Sequence, residues 1–96
     1  MADQPKPGQV QQLPINIGDE MSRGRYSNML LATHSSEEFI LDWLLTAPNG
    51  AHLTSRIIVS PGHVKRIIKA LQENLDNYEK AFGPVKETEP SEQRFH

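Results

Sequence analysis

The clearest periodicity lies toward the C-terminus, where Val64, Ile68, Leu71, Leu75, Tyr78 and Phe82 recur at alternating spacings of four and three. Ile67 widens the stripe near its start. This spacing gathers the apolar side chains on one side of a helix. Ser60 is a favoured N-cap residue, and Pro61 falls at the first helical position, where a missing N–H costs nothing. Gly83 suits a left-handed residue after the last turn, and Pro84 prevents continuation. The pattern predicts an amphipathic helix over 61–82, about 33 Å long at 1.5 Å per residue.

Upstream the period shortens to two. Over 25–34, Tyr26, Leu30 and Ala32 fall on one face, Met29 and Leu31 on the other. Phe39, Leu41, Trp43 and Leu45 share a face of the next run, with Ile40 and Leu44 opposite. Leu53, Ile57 and Val59 form a face of the third, with Ile58 behind. Turn-like stretches at 34–37 and 47–52 separate the runs, so the pattern reads as an antiparallel meander. Leu13–Ile17 is a candidate fourth strand. Ser36 and Glu38 resemble cap residues, which keeps a helix open for the middle run, but strand is preferred.

Pairing the second and third runs as a hairpin gives one register that matches faces. Phe39 then meets Val59, Leu41 meets Ile57, and Asp42 lies opposite Arg56. One face is wholly apolar and the other holds an ion pair. The helix is expected to cover the apolar face. Ile40, Leu44, Ile58 and either Met29 or Leu30 remain on the mixed face, which one helix cannot also cover. A second copy of the chain could.

Charge along the helix supports that idea. Lys65, Arg66 and Lys69 precede Glu73, Asp76 and Glu79, an order that opposes the helix dipole. Antiparallel pairing of two such helices sets basic halves against acidic halves, and a three-and-four seam suits helix pairing. The simpler alternative is solvated charge with local pairs such as Lys69–Glu73. A homodimer is expected, with Leu71, Leu75 and Tyr78 in its seam and Asp42 and Arg56 fixing register.

These motifs resemble a known family. Tyr26-Ser27-Asn28, His34-Ser35, Glu38-Phe39 and Leu41-Asp42-Trp43 lead into Ser55-Arg56-Ile57-Ile58 and Ser60-Pro61. His63, Lys65-Arg66, Leu71, Asn74, Tyr78-Glu79 and Phe82-Gly83 complete the pattern. Together they are similar to the prokaryotic domain of unknown function 3467, over about 15–83. Trp43 stands where Phe is more usual, and Gly62 where Glu is common. The resemblance implies no catalytic residues. Its members lie beside RNA polymerase subunit genes in some bacteria, which implies a link to transcription.

Composition narrows the remaining options. The 96 residues suit one domain. Residues 1–14 hold three prolines and four glutamines, and 84–96 are largely Glu, Pro, Ser and Gln. Both are expected to be disordered tails around a single α+β domain at 15–83. There is no cysteine, which excludes disulfides and thiolate chemistry. No apolar run reaches the roughly 18 residues of a membrane span, and no signal-peptide pattern opens the chain, so a cytoplasmic protein is expected. Net charge is −2, yet Arg23 to Phe82 holds seven basic and six acidic residues. A near-neutral fold favours neither nucleic acid nor membrane.

Candidate chemistry is sparse. Ser60-Pro61-Gly62-His63 opens the helix, where backbone N–H groups could hold an anion assisted by Arg56, His63, Lys65, Arg66 and Lys69. The bland reading, a simple cap among solvated charges, is preferred because no glycine-rich loop accompanies it. His34, His52 and His63 match no metal-ligand spacing. His34, Ser35, Ser36 and Asp42 lack a nucleophile elbow, so no catalysis and no cofactor are expected. Tyr26 and Asn28 are candidates for a binding surface near Trp43. The expected function is a non-catalytic interaction protein, an accessory of a larger cytoplasmic complex with transcription machinery as the named candidate. Nucleic-acid binding through Arg23, Arg25, Arg56, Lys65, Arg66 and Lys69, and an anion-binding module, are the alternatives.

Overall fold

The computed structural model describes residues 13–87. The expected tails over 1–14 and 84–96 therefore lie mostly outside the described residues. A short 3-10 turn at Met21–Arg23 precedes three strands, β1 (Met29–His34), β2 (Phe39–Ala47) and β3 (Gly50–Val59), and one helix, α1 (Pro61–Phe82). The strands form one antiparallel sheet in the order β1-β2-β3. This is the α+β meander-plus-helix expected from the periodicities. Leu13–Ile17 is not a strand, so the described sheet has three.

The hairpin register is the expected one: Phe39 pairs with Val59, Leu41 with Ile57 and Asp42 with Arg56. Beyond Trp43 it shifts. Trp43 pairs with Ser55 but Leu44 with Leu53, so Thr54 is an extra residue in β3. Such a bulge reverses the facing of everything beyond it. Leu53 therefore lies opposite Leu44, on the mixed face, and not beside Ile57 as the period-two pattern suggested. The Thr54 hydroxyl donates to the Trp43 carbonyl at 2.9 Å and holds the bulge. A two-residue turn, Pro48-Asn49, closes the hairpin onto Gly50, whose φ of 129° favours glycine.

Helix α1 begins and ends where the sequence places it. The Ser60 hydroxyl accepts from the His63 N–H at 3.2 Å, and Pro61 occupies the first turn. Gly83 has φ 95°, with ψ 169° outside the left-handed helical basin, and its N–H donates to the Glu79 carbonyl at 2.8 Å. The Glu79 carboxylate also accepts from the Val85 N–H at 2.9 Å, tying the following chain to the last turn.

The position of the helix departs from expectation. It packs on neither face of the sheet, and only Val64 and Ile67 of its apolar stripe are half-buried. Ile68 and Leu71 are each 61% exposed, and Tyr78 is 51% exposed. The sheet is correspondingly bare on both sides: Leu30 and Ile57 on one face, Leu31, Leu53 and Ile58 on the other, are all exposed. None of the described residues is buried. The amphipathic pattern identifies which side of α1 is apolar, but it does not specify which surface covers that side.

Candidate interaction surface

β2 runs through the middle of the sheet and carries the best-shielded ion pair among the described residues. Asp42 accepts two hydrogen bonds from the Arg56 guanidinium, at 2.7 Å from Nε and 3.0 Å from Nη2. The Asp42 side chain is only 13% exposed, whereas that of Arg56 is 55% exposed. The hydrogen bonds from Arg56 hold the Asp42 carboxyl below its ordinary value, with help from the guanidinium charge and against the partial loss of water. The same contact raises the Arg56 value. Two parallel bonds of this kind define an orientation as well as a partner. They suit the register role expected of this pair.

The Tyr26-Ser27-Asn28 motif has a structural use that sequence reasoning missed. The Asn28 side chain accepts from the Thr46 N–H at 2.9 Å and the Thr46 hydroxyl at 3.1 Å, and donates to the Thr46 carbonyl at 3.2 Å. Its backbone N–H donates to the Leu44 carbonyl at 3.0 Å. The amide thus extends the β1–β2 ladder by one rung, a job otherwise done by backbone. The Ser27 hydroxyl sits 2.8 Å from the same Leu44 carbonyl. Asn28 therefore splices the incoming chain to β2, while Tyr26 is 77% exposed outside the strand. An asparagine directly before an apolar alternating run was the available signal.

The residues considered for catalysis are dispersed. His34 stacks on Phe39 with ring centroids 5.2 Å apart, on the face opposite Asp42. The Ser35 hydroxyl accepts from the Glu37 and Glu38 N–H groups and shapes the β1–β2 turn. Among the described residues, no three His, Asp or Glu side chains converge as metal ligands. An open depression of about 290 Å³ lies beside the bulge, where Met21, Gly24, Arg25 and Ser27 approach Trp43, Thr54 and Ser55. Arg25 is turned toward Glu20 at 3.4 Å.

The basic residues considered for anion binding divide into two groups. Arg56 is committed to Asp42 on the sheet. Helical periodicity puts Arg66 and Lys69 on the side of α1 away from its apolar stripe and Lys65 at the stripe's edge. Arg66 reaches back to the His63 ring at 3.4 Å. Ser60 is used as an ordinary cap. The local pair considered for Lys69 and Glu73 does not form; the ion pairs among the described residues are Arg23–Asp19, Arg25–Glu20 and Arg56–Asp42. No helix among the described residues is long and apolar enough to cross a membrane.

The molecule is thus a small α+β protein with an amphipathic helix whose apolar stripe is largely bare, a two-faced sheet and no cluster of metal-ligating side chains among the described residues. Its sequence matches the profile of the family described as "Protein of unknown function (DUF3467)" over residues 1–87, and the chain belongs to that family. No curated protein and no solved structure matches the chain.

Proposed function

We propose that this protein is a non-catalytic interaction protein that works as a homodimer, an accessory of a larger cytoplasmic complex. The observation that carries the reading is the absence of any buried residue among 13–87, in a chain whose helix and sheet both present ordered apolar faces. Ordering a residue costs about 1–2 kcal/mol, and burial of apolar surface is the main offset. A protomer without a core lacks that offset, and a second copy supplies apolar surface of matching shape and extent. In proteins most of the stability of an amphipathic helix comes from packing its apolar face rather than from propensity.

Sedimentation equilibrium tests the dimer, with unfolding followed across a range of protein concentrations. A dimer whose melting temperature rises with concentration is expected. A monomer with a cooperative, concentration-independent transition defeats the reading. The accessory role is tested by nuclease-treated capture from host lysate, where a stoichiometric partner complex is expected. Recovery of the dimer alone counts against that role.

The grouping of Arg66 and Lys69 on one side of α1, with Lys65 at its edge, favours nucleic acid as the second reading. Such binding weakens steeply as salt rises. Absence of binding at low salt removes it.

A further inference from the structure

We infer that the covering partner of α1 is the α1 helix of a second copy, paired antiparallel about a twofold axis at Glu73. This rests on the homodimer proposed above and specifies its geometry. The bare stripe is symmetric about that residue. Leu71 and Leu75 lie two positions to either side, Ile68 and Tyr78 five, and Val64 and Phe82 nine. Reversing one helix about Glu73 therefore sets each of these six residues against another of the six, while Ile67 falls at the edge of the seam.

In heptad terms, Val64, Leu71 and Tyr78 occupy d, while Ile68, Leu75 and Phe82 occupy a. The reversal pairs a with d in each layer. It also pairs e with e and g with g along the two edges of the seam. The e edge reads Lys65, Gln72, Glu79, a sequence whose charge inverts about its centre. Lys65 of each copy then faces Glu79 of the other, two residues off level and within side-chain reach. Two such pairs form for each dimer, and Gln72 meets its own counterpart at the axis. The g edge reads Ile67, Asn74, Ala81 and carries no charge to oppose the pairing.

A parallel pair fits worse. It sets the basic first half of one helix level with that of the other, and the acidic second halves likewise, so the net fields of the two helices repel at both ends. It also leaves Lys65 and Glu79 with no partner of opposite sign at the seam edge. Within the protomer only Val64 and Ile67, at the start of the stripe, are half-buried; its residues from Ile68 to Phe82 are exposed.

The chain has no cysteine, so single cysteines at Arg66, Glu73 and Lys80 carry spin labels cleanly. All three lie on the outer face of the helix, away from the seam. Pulsed electron–electron dipolar measurements on Arg66→Cys, Glu73→Cys and Lys80→Cys homodimers read the geometry directly. The label at 73 is expected to give the shortest distance. Those at 66 and 80 are expected to be longer and equal, because each adds an axial separation of about 21 Å. Three equal distances mean a parallel pair, and any series without its minimum at 73 means pairing through another surface. Either result overturns this inference and leaves the homodimer standing. A monomer without dipolar modulation overturns both. Independently, Lys65→Glu is expected to weaken dimerisation severalfold, and adding Glu79→Lys in the same chain to restore it. Failure of the double variant to recover overturns the Lys65–Glu79 pairing.

Discussion

Replacing Leu71 with alanine separates a helix that is merely solvated from one that is covered by a second copy. In the protomer Leu71 is 61% exposed. A solvated leucine of that exposure contributes little, and alanine is the stronger helix former, so an isolated chain would tolerate Leu71→Ala or gain slightly from it. In the proposed dimer the remaining exposed surface is buried against the partner. Full burial of a leucine is worth about 1.5–3 kcal/mol, so the exposed share comes to about 1–2 kcal/mol for each copy. Both copies change together, giving about 2–4 kcal/mol for the dimer before any cavity term. Dimerisation should weaken roughly 30- to 1,000-fold. Sedimentation equilibrium measures this, with Ile15→Ala as the control, since Ile15 is 75% exposed outside the sheet and helix. Unchanged association in Leu71→Ala, or an equal loss in Ile15→Ala, refutes the argument.

Three further outcomes are expected from the protomer itself. The hydrogen bonds from Arg56 hold the Asp42 value below its ordinary 3.8, so the folded state binds its proton less tightly than the unfolded chain does. The stabilisation is present above the unfolded value and is lost as pH falls through the folded one; urea midpoints from about pH 5 downward should fall less steeply in Asp42→Asn than in the native chain. Asn28→Ala removes three side-chain hydrogen bonds to Thr46 and should cost about 1–2 kcal/mol in denaturant unfolding, with Tyr26→Ala near neutral. Gly50→Ala puts a Cβ at φ 129° in the tight hairpin turn, and a melting temperature equal to that of the native chain would show that the turn relaxes without strain.

How much of this was legible in the sequence depends on whether the controlling interaction is local. The helix bounds were legible because Ser60, Pro61 and Gly83 each act within one turn of themselves. The hairpin register was legible because alternation on both runs and the Asp42–Arg56 pair agree on one alignment. The bulge was not: Leu53 and Ile57 are four apart, which strict alternation reads as one face, and the inserted Thr54 is visible only through its partner strand. Asn28 was read as a surface residue because a side chain that mimics backbone leaves no mark in a hydrophobic pattern. The placement of α1 was the largest miss. Amphipathicity is a property of one element, whereas its cover belongs to a pair of surfaces. The expectation that α1 folds back on its own sheet needs a link between the two surfaces that neither pattern carries.

The two sheet faces differ in what covering them would gain. Along β2, Phe39, Leu41, Trp43 and Leu45 lead a largely apolar face, continued by Ile57 and Val59 on β3 and by Leu30 and Ala32 on β1, with His34, Ser55 and His52 among them. The other carries Asp42 and Arg56 among Ile40, Leu31 and Ile58. Burying an ion pair returns little beyond the cost of removing its charges from water, even when both partners are well bonded. Burying the apolar face returns the full transfer term. The bidentate geometry matters here, because it lets the mixed face be covered without stranding a charge but gives no strong drive to cover it. In the proposed dimer, covering the apolar face would therefore gain more than covering the mixed one. On the mixed face the Arg56 side chain is still 55% exposed, so its charge keeps most of its water there.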